Sequence, residues 1–254
     1  MNIIVLLKQT FDTEERIVIT DGKIGEEGIG FIINPYDEYA VEEAIKLRDE
    51  HGGEVTLITV GPERAENALR TALAMGADKA VLVNSEDAEL DEYSIGKILA
   101  SVIKDREYDI ILCGNVAVDN GSGQIGPRLA EELNIAQVTS ITKLEVGNGK
   151  VNIERDVEGD VEIIEASLPI LVSAQQGLNE PRYPSLPGIM KAKKKPLKRL
   201  ELNDLNIKED LLQRTTVIET FLPQKKEAGY ILNGEIEEQI KEVVNLLYDK
   251  EKVI

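Results

Sequence analysis

Ile110-Ile111-Leu112-Cys113-Gly114, a six-residue connection from Asn115 to Asn120, and then Gly121-Ser122-Gly123-Gln124-Ile125-Gly126-Pro127-Arg128-Leu129-Ala130-Glu131-Glu132-Leu133 form the stretch from which the fold can be read. A short apolar run without polar alternation is the mark of a strand covered on both faces. A strand that leads through glycines into a helix is the repeating step of a parallel sheet flanked by helices. Three other runs have the same character: Ile3 to Leu7, Val55 to Val60 and Ala80 to Val83. Amphipathic stretches at Tyr36 to Glu50, Glu63 to Met75 and Asp91 to Asp105 separate the four, and a further helix begins near Gln124. The alternation predicts an α/β class, with the four strands as neighbours in one mostly parallel sheet.

The first helix shows why these stretches are helical. Asn34 can cap it, Pro35 suits the first helical position, Asp37 and Glu38 place negative charge in the first turn, and Gly52-Gly53 can end it. Two excursions interrupt the alternation. Arg16 to Thr20, the Asp21-Gly22 turn and the glycine-rich stretch to Ile33 read as an inserted hairpin. Thr139 to Val146, Gly147-Asn148-Gly149, Val151 to Asp156 and Val161 to Ala166 read as an antiparallel meander leading into a buried strand, Ile170 to Ala174. Beyond Gly177, prolines at 181, 184, 187, 196 and 223 replace the periodic patterns until an amphipathic helix at Ile236 to Leu247. The expected organisation is an α/β core over residues 1–176 and an extended arm over 177–254 that ends in a helix. About 55 residues of extended chain cannot bury a core, so the arm either lies along a partner or is a linker to its terminal helix.

Composition limits the function. The 254 residues carry a net charge of −18, which opposes binding to nucleic acid or to an anionic membrane by the protein as a whole. One cysteine (Cys113) and one histidine (His51) supply neither an intrachain disulfide nor a closed zinc site, so no metal is expected. The opening MNIIVLLKQT has too short an apolar run for a signal segment, and no stretch is apolar enough to span a bilayer. A cytoplasmic protein without membrane insertion is the expectation.

Gly121 to Gly126 matches G-x-G-x-x-G, but Asn115 to Asn120 separate it from its strand and it lies late in the chain, unlike a dinucleotide fingerprint. The loop is either a tight turn or a cradle whose free N–H groups hold a phosphate at a helix start. Lys8, Gly61-Pro62 and Gly114 follow strands, and Asn34 opens a helix, so all could converge on one nucleotide at the carboxyl end of the sheet. His51 sits at a helix end, where its charge complements the dipole, and Cys113 reads as a buried small hydrophobe. No catalytic nucleophile, acid or base emerges, so an enzyme is not expected. Asn179 to Lys195 combines prolines, apolar Leu186, Ile189 and Met190, and a basic cluster in an acidic chain, which has the composition of a docking surface.

That stretch also carries a resemblance. Leu178-Asn179-Glu180-Pro181-Arg182-Tyr183, Leu186-Pro187 and Ile189-Met190-Lys191-Ala192-Lys193-Lys194 resemble the β subunit of electron transfer flavoprotein. The likeness extends to Asn34-Pro35, Ala40-Val41-Glu42-Glu43-Ala44, Arg70 to Asp78, the Asp119 to Gly126 loop, Arg155-Asp156 and Leu168-Pro169. The resemblance implies an adenine-nucleotide-binding, Rossmann-like core in an electron-carrier subunit. It implies an α subunit that holds most of a redox-active FAD, with the β subunit closing one side of that site. Electrons would come from flavin dehydrogenases such as acyl-CoA dehydrogenases of fatty acid β-oxidation and pass to a quinone-linked oxidoreductase.

On matching positions, the resemblance places a second nucleotide, usually AMP, at Leu6, Asn34, Ala65, Asp119, Ser122, Gly123, Gln124 and Ile125. Thr13 and Tyr36 would approach the flavin ring. Pro184 to Lys195 would be the loop that docks the dehydrogenase, with Leu186 as its apolar anchor and Pro187, Ile189, Met190, Lys191 and Lys194 around it. Asp156 would position the mobile flavin domain. Asp119 to Pro127 follows neither the conventional nor the electron-bifurcating loop pattern, so both AMP and a second FAD stay open, the latter with NADH oxidation. A nucleotide-sensing regulatory module and an ATP-dependent activating enzyme are the alternatives from other classes.

Overall fold

The structure is a computed structural model and describes residues 1–20, 22–86, 88–205, 207, 213–225, 229, 231–250 and 252–253. In chain order its elements are β1 (Asn2–Leu6), β2 (Gln9–Phe11), β3 (Ile19–Thr20), β4 (Lys23–Ile24), β5 (Phe31–Ile33), α1 (Pro35–His51), β6 (Glu54–Gly61), α2 (Glu66–Met75), β7 (Lys79–Asn84), α3 (Glu92–Ile103), β8 (Ile110–Gly114), α4 (Ile125–Leu133), β9 (Ala136–Gly147), β10 (Lys150–Val157), β11 (Asp160–Ser167), β12 (Ile170–Ala174), α5 (Leu186–Ala192), β13 (Leu197–Glu201) and α6 (Ile236–Asn245). Contacts divide the chain into one unit of residues 1–18 and 24–218 and another of residues 19–23 and 219–254.

The larger unit holds a nine-stranded sheet in the order β11-β10-β9-β12-β8-β1-β6-β7-β13. β9, β12, β8, β1, β6, β7 and β13 run parallel, and β9, β10 and β11 form the antiparallel meander. The four strands expected to be neighbours, β8, β1, β6 and β7, are adjacent. Their continuous apolar runs are explained by two cores. Ile3 and Val5 pack with Val41, Ile45, Leu69 and Leu73 of α1 and α2, while Ile4 and Leu6 face Ile98, Leu99 and Leu129 of α3 and α4. Alternate residues of one strand thus enter opposite apolar layers, and each large side chain buried contributes about 1.5–3 kcal/mol.

Asn34 departs from its expected role. It occupies the position before α1, but its side chain caps nothing in that helix and reaches the loop after β8 instead. The dipole of α1 is complemented by Asp37 and Glu38 at one end and by Arg48 and His51 at the other, and Gly52 ends it at a positive φ of 72°. The inserted segment pairs β2 with β5 antiparallel, and Asp21 of the expected turn lies outside the described residues.

The expectation of an extended arm is corrected between Leu186 and Glu201, where the chain forms α5 and β13. Ser185 caps α5 by accepting from the Gly188 N–H, and Ala192 is buried beside α2. β13 adds to β7 because Leu197 and Leu200 give it apolar positions for the two layers beneath. Asn179 and Arg182 tie the start of this segment to α1. The Arg182 guanidinium donates to both oxygens of buried Glu42 at 2.8 and 2.9 Å, and Asn179 donates to Glu43 and to the Tyr39 carbonyl. Further on, Asp91 at the start of α3 accepts from the backbone of Arg214 and Thr215. In the smaller unit, α6 exposes Ile236, Ile240, Val243 and Val244, and a π-helical turn follows over Leu246–Lys250. No helix among the described residues is long and apolar enough to cross a membrane.

Candidate functional site

After β1 the chain builds β6 and β7 on one side of it and then returns to place β8 on the other. Loops leaving β1 and β8 therefore diverge and open a crevice at their carboxyl ends, the position where open α/β sheets take ligands. The cleft is partly open to solvent. Leu6, Ile58, Val60, Ile95, Leu99 and Val116 supply apolar wall, and Ser122 to Gly126 supply the opposite rim.

The rim is shaped by its glycines. Gly121 and Gly123 adopt positive φ of 63° and 61°, which bends the loop back before α4 begins. The first-turn N–H groups of α4 have no intrahelical acceptor and lie at the cleft, where the helix dipole favours an anion. The Gln124 side chain is held by Arg128, which donates to it at 2.8 and 3.0 Å. Asn34 fixes the floor of the loop, donating to the Val116 carbonyl at 2.9 Å and accepting from the Val118 N–H at 3.1 Å. Asn120 donates to Glu92 and accepts from the Ser122 N–H, joining the loop to the start of α3.

Asp37 is the residue the sequence reading missed. Buried at the junction of β1, β8 and α1, it accepts from the Lys8 N–H at 2.6 Å and the Gly114 N–H at 2.9 Å, pinning the carboxyl ends of both strands. Burial pushes its carboxyl up to about 6, against the lowering effect of those N–H bonds, Asn34 and the Lys8 charge. Burial, followed by the Asp37 charge, pushes the Cys113 thiol up as well, which keeps it an unreactive lining group. Gly114 is required here, because a Cβ on it would stand 2.4 Å from an Asp37 oxygen and 2.7 Å from the Tyr36 Cβ.

Of the expected nucleotide contacts, Leu6, Asn34, Ser122, Gly123, Gln124 and Ile125 come together around the cleft. Asp119 lies at its edge, paired with Lys8 at 2.7 Å, and faces a neighbouring cavity walled by Phe11, Phe31 and Arg64. Ala65 is buried beside Gly61 in the turn before α2 and does not line the cleft. Gly61-Pro62 does not line it either. Of the pair expected near a flavin, Thr13 is exposed after β2 and Tyr36 is half-buried in the first turn of α1. Asp156 is exposed on β10, opposite Val161 of β11. Among the described residues no group of three or more His, Cys, Asp or Glu could hold a metal.

Elsewhere on the larger unit, α5 presents a second surface. Leu186 is 81% exposed and Met190 67%, with Ile189 partly exposed, and Lys191 and Lys194 stand beside them. Pro187 follows Leu186 in the first turn of the helix.

A mostly parallel sheet flanked by helices, with a cleft at the carboxyl ends of its central strands and a glycine-rich rim leading into a helix, defines an α/β protein of the open-sheet, Rossmann-like class. Comparison with known proteins narrows the class. The electron transfer flavoprotein domain family matches residues 21–205. The electron transfer flavoprotein subunit beta of Bacillus subtilis (strain 168) is 62% identical over 257 aligned residues, covering 100% of each chain. The subunit beta of Thermoanaerobacterium thermosaccharolyticum is 44% identical over 97% of this chain and 98% of its own. A protein of Anaerotignum propionicum named acryloyl-CoA reductase electron transfer subunit gamma is 34% identical over 98% of this chain and 99% of its own. The chain belongs to the electron transfer flavoprotein β-subunit family.

Proposed function

We propose that this chain is the β subunit of a heterodimeric electron carrier that works with an α subunit in the cytoplasm, taking electrons from flavin dehydrogenases and delivering them to a quinone-linked oxidoreductase. The observation that carries the reading is the cleft at the carboxyl ends of β1 and β8, fitted for an adenine nucleotide and set in a chain of this family. Apolar side chains of Leu6, Ile58 and Leu99 suit the flat faces of a base, and the α4 N–H groups with Lys8 suit a phosphate. In this reading AMP occupies the cleft as a structural nucleotide, while an FAD is shared with the α subunit. The flavin, when bound, supplies the electron-transfer chemistry. This chain's residues bind and orient. Thr13 and Tyr36 bound the flavin's side of the subunit, Asp156 positions the domain that carries it, and the exposed Ile236, Ile240, Val243 and Val244 of α6 meet the α subunit. Leu186 and Met190 enter an apolar recess on the dehydrogenase, while Lys191 and Lys194 steer the approach.

Co-expression with the α subunit, denaturation of the purified complex and quantification of released nucleotides test this. One FAD and one AMP per complex are expected. Two FAD without AMP would replace this reading with that of an electron-bifurcating carrier that oxidises NADH, and a colourless chain that purifies without any partner would remove it.

A further inference from the structure

The basic cluster from Lys191 to Arg199 is divided in its use. Lys191, Lys193, Lys194 and Lys198 are exposed, but Lys195 turns inward and Arg199 pairs with Glu66 of α2. The Lys195 ammonium donates to the carbonyls of Leu73 at 3.0 Å, Gly76 at 3.3 Å and Ala77 at 2.5 Å, so it closes the carboxyl end of α2, where the helix dipole favours a cation. In the reverse direction, Arg70 of α2 donates to the carbonyls of Ala192 at 2.9 Å, the last residue of α5, and of Lys195 at 3.1 Å, three residues further on. Glu66 holds Arg70 in place at 3.2 Å. Gly188 sits so close to the Ala74 carbonyl that a Cβ would be 2.4 Å from its oxygen. Both bolts therefore hold the carboxyl end of α5 to α2, the close approach of Gly188 to Ala74 seats the first half of α5, and Leu186 and Met190 stay exposed.

A seven-residue helix does not hold itself in water, since helices shorter than about 12 residues are marginal alone. Its exposed apolar residues would otherwise have to be ordered at the moment a partner binds, and that ordering would weaken affinity. We infer that Lys195 and Arg70 are positioning residues for docking: they keep α5 pre-formed on α2, so that Leu186, Ile189 and Met190 meet the partner in a fixed arrangement. Burial lowers the Lys195 pKa, as expected of an ammonium withdrawn from solvent to serve the backbone. The inference rests on the docking role assigned to α5 above.

The test uses the complete complex with its α subunit and an acyl-CoA dehydrogenase as donor. Lys195→Met is expected to raise KM for the carrier about tenfold, with kcat within about twofold and FAD content unchanged. Amides of residues 188–192 should exchange with deuterated solvent about tenfold faster. Arg70→Gln, which removes the bolt from the other helix, should reproduce both effects if Lys195→Met yields too little protein. A cycle with Leu186→Ala separates positioning from general stability. In the Leu186→Ala background the Lys195→Met effect on KM should shrink below about twofold, because the anchor being positioned is gone. Independent effects that multiply, or unchanged exchange, would overturn the inference. If Leu186→Ala raises KM and Lys195→Met does not, the docking role stands and the inference alone fails. If Leu186→Ala leaves KM unchanged, the docking role fails and the inference falls with it.

Discussion

Asp37→Asn is the most informative single change, because its effect reverses the usual pH behaviour of a buried, hydrogen-bonded carboxylate. The Asp37 carboxyl is raised from 3.8 to about 6 by burial. The folded protein therefore binds more protons than the unfolded chain between these values, and stability attributable to this group falls as pH rises through that window. The rise corresponds to about 3 kcal/mol, present in full below pH 4 and lost above about pH 6. Asparagine keeps the shape but cannot titrate, and it has one oxygen for the two N–H groups of Lys8 and Gly114. The orphaned N–H costs about 1–3 kcal/mol at every pH. The difference between wild type and variant should thus be largest near pH 4 and shrink by about 3 kcal/mol by pH 7. Urea unfolding midpoints of both proteins, measured every half unit from pH 4 to 7.5, read that difference, and the remaining carboxylates cancel between the two. Parallel profiles would refute the reasoning, as would a gap that widens toward neutral pH.

Leu186→Ala should slow electron transfer from a dehydrogenase while flavin content, read from the visible spectrum, stays unchanged; a matching loss of FAD would make the helix structural. Arg182→Met leaves the Glu42 carboxylate, 7% exposed, without its two guanidinium donors, and should cost about 2 kcal/mol because the guanidinium itself is partly in water. Faster proteolysis between 177 and 184 should accompany that loss. Gly114→Ala forces a Cβ to 2.4 Å from Asp37 and should abolish nucleotide retention. Gly126→Ala, whose Cβ would lie 3.1 Å from the Cys113 sulfur and 3.2 Å from Leu171, should cost about 1 kcal/mol and keep the nucleotide. Equal outcomes for the two glycines, by nucleotide released on denaturation, would contradict the geometry.

The parallel core was readable because β1, β6, β7 and β8 are buried on both faces, and burial of that kind leaves unbroken runs such as Ile3 to Leu7. The rim of the cleft was readable for a related reason: Gly121 and Gly123 occupy backbone conformations that other residues rarely adopt. Asp37 was not, since an acid in the first turn of a helix already has a sufficient local explanation in the dipole. Its real partners, Lys8 and Gly114, lie 29 and 77 positions away. Asn34 was misassigned for the same cause: a capping residue by type, it is used for a contact with a loop 82 positions on. β13 escaped notice because an edge strand needs few apolar residues, and Leu197 and Leu200 are separated by Lys198 and Arg199. A strand of this composition reads as a basic loop until its neighbour is known.

β13 has a consequence for the life of the chain before any partner arrives. It pairs with β7 from Leu197 opposite Ala80 to Glu201 opposite Asn84, and so occupies what would otherwise be the open margin of the parallel sheet. Without it β7, whose Ala80 to Val83 are all buried, would offer an apolar row of unpaired N–H and C=O groups to any other chain. The opposite margin, β11, exposes Val161 and Ile163 but intersperses them with Asp160, Glu162 and Glu165, charges that discourage self-association. The segment that carries the docking helix therefore ends by sealing the sheet against aggregation, and a truncation ahead of Leu197 would remove a safeguard of solubility along with the strand.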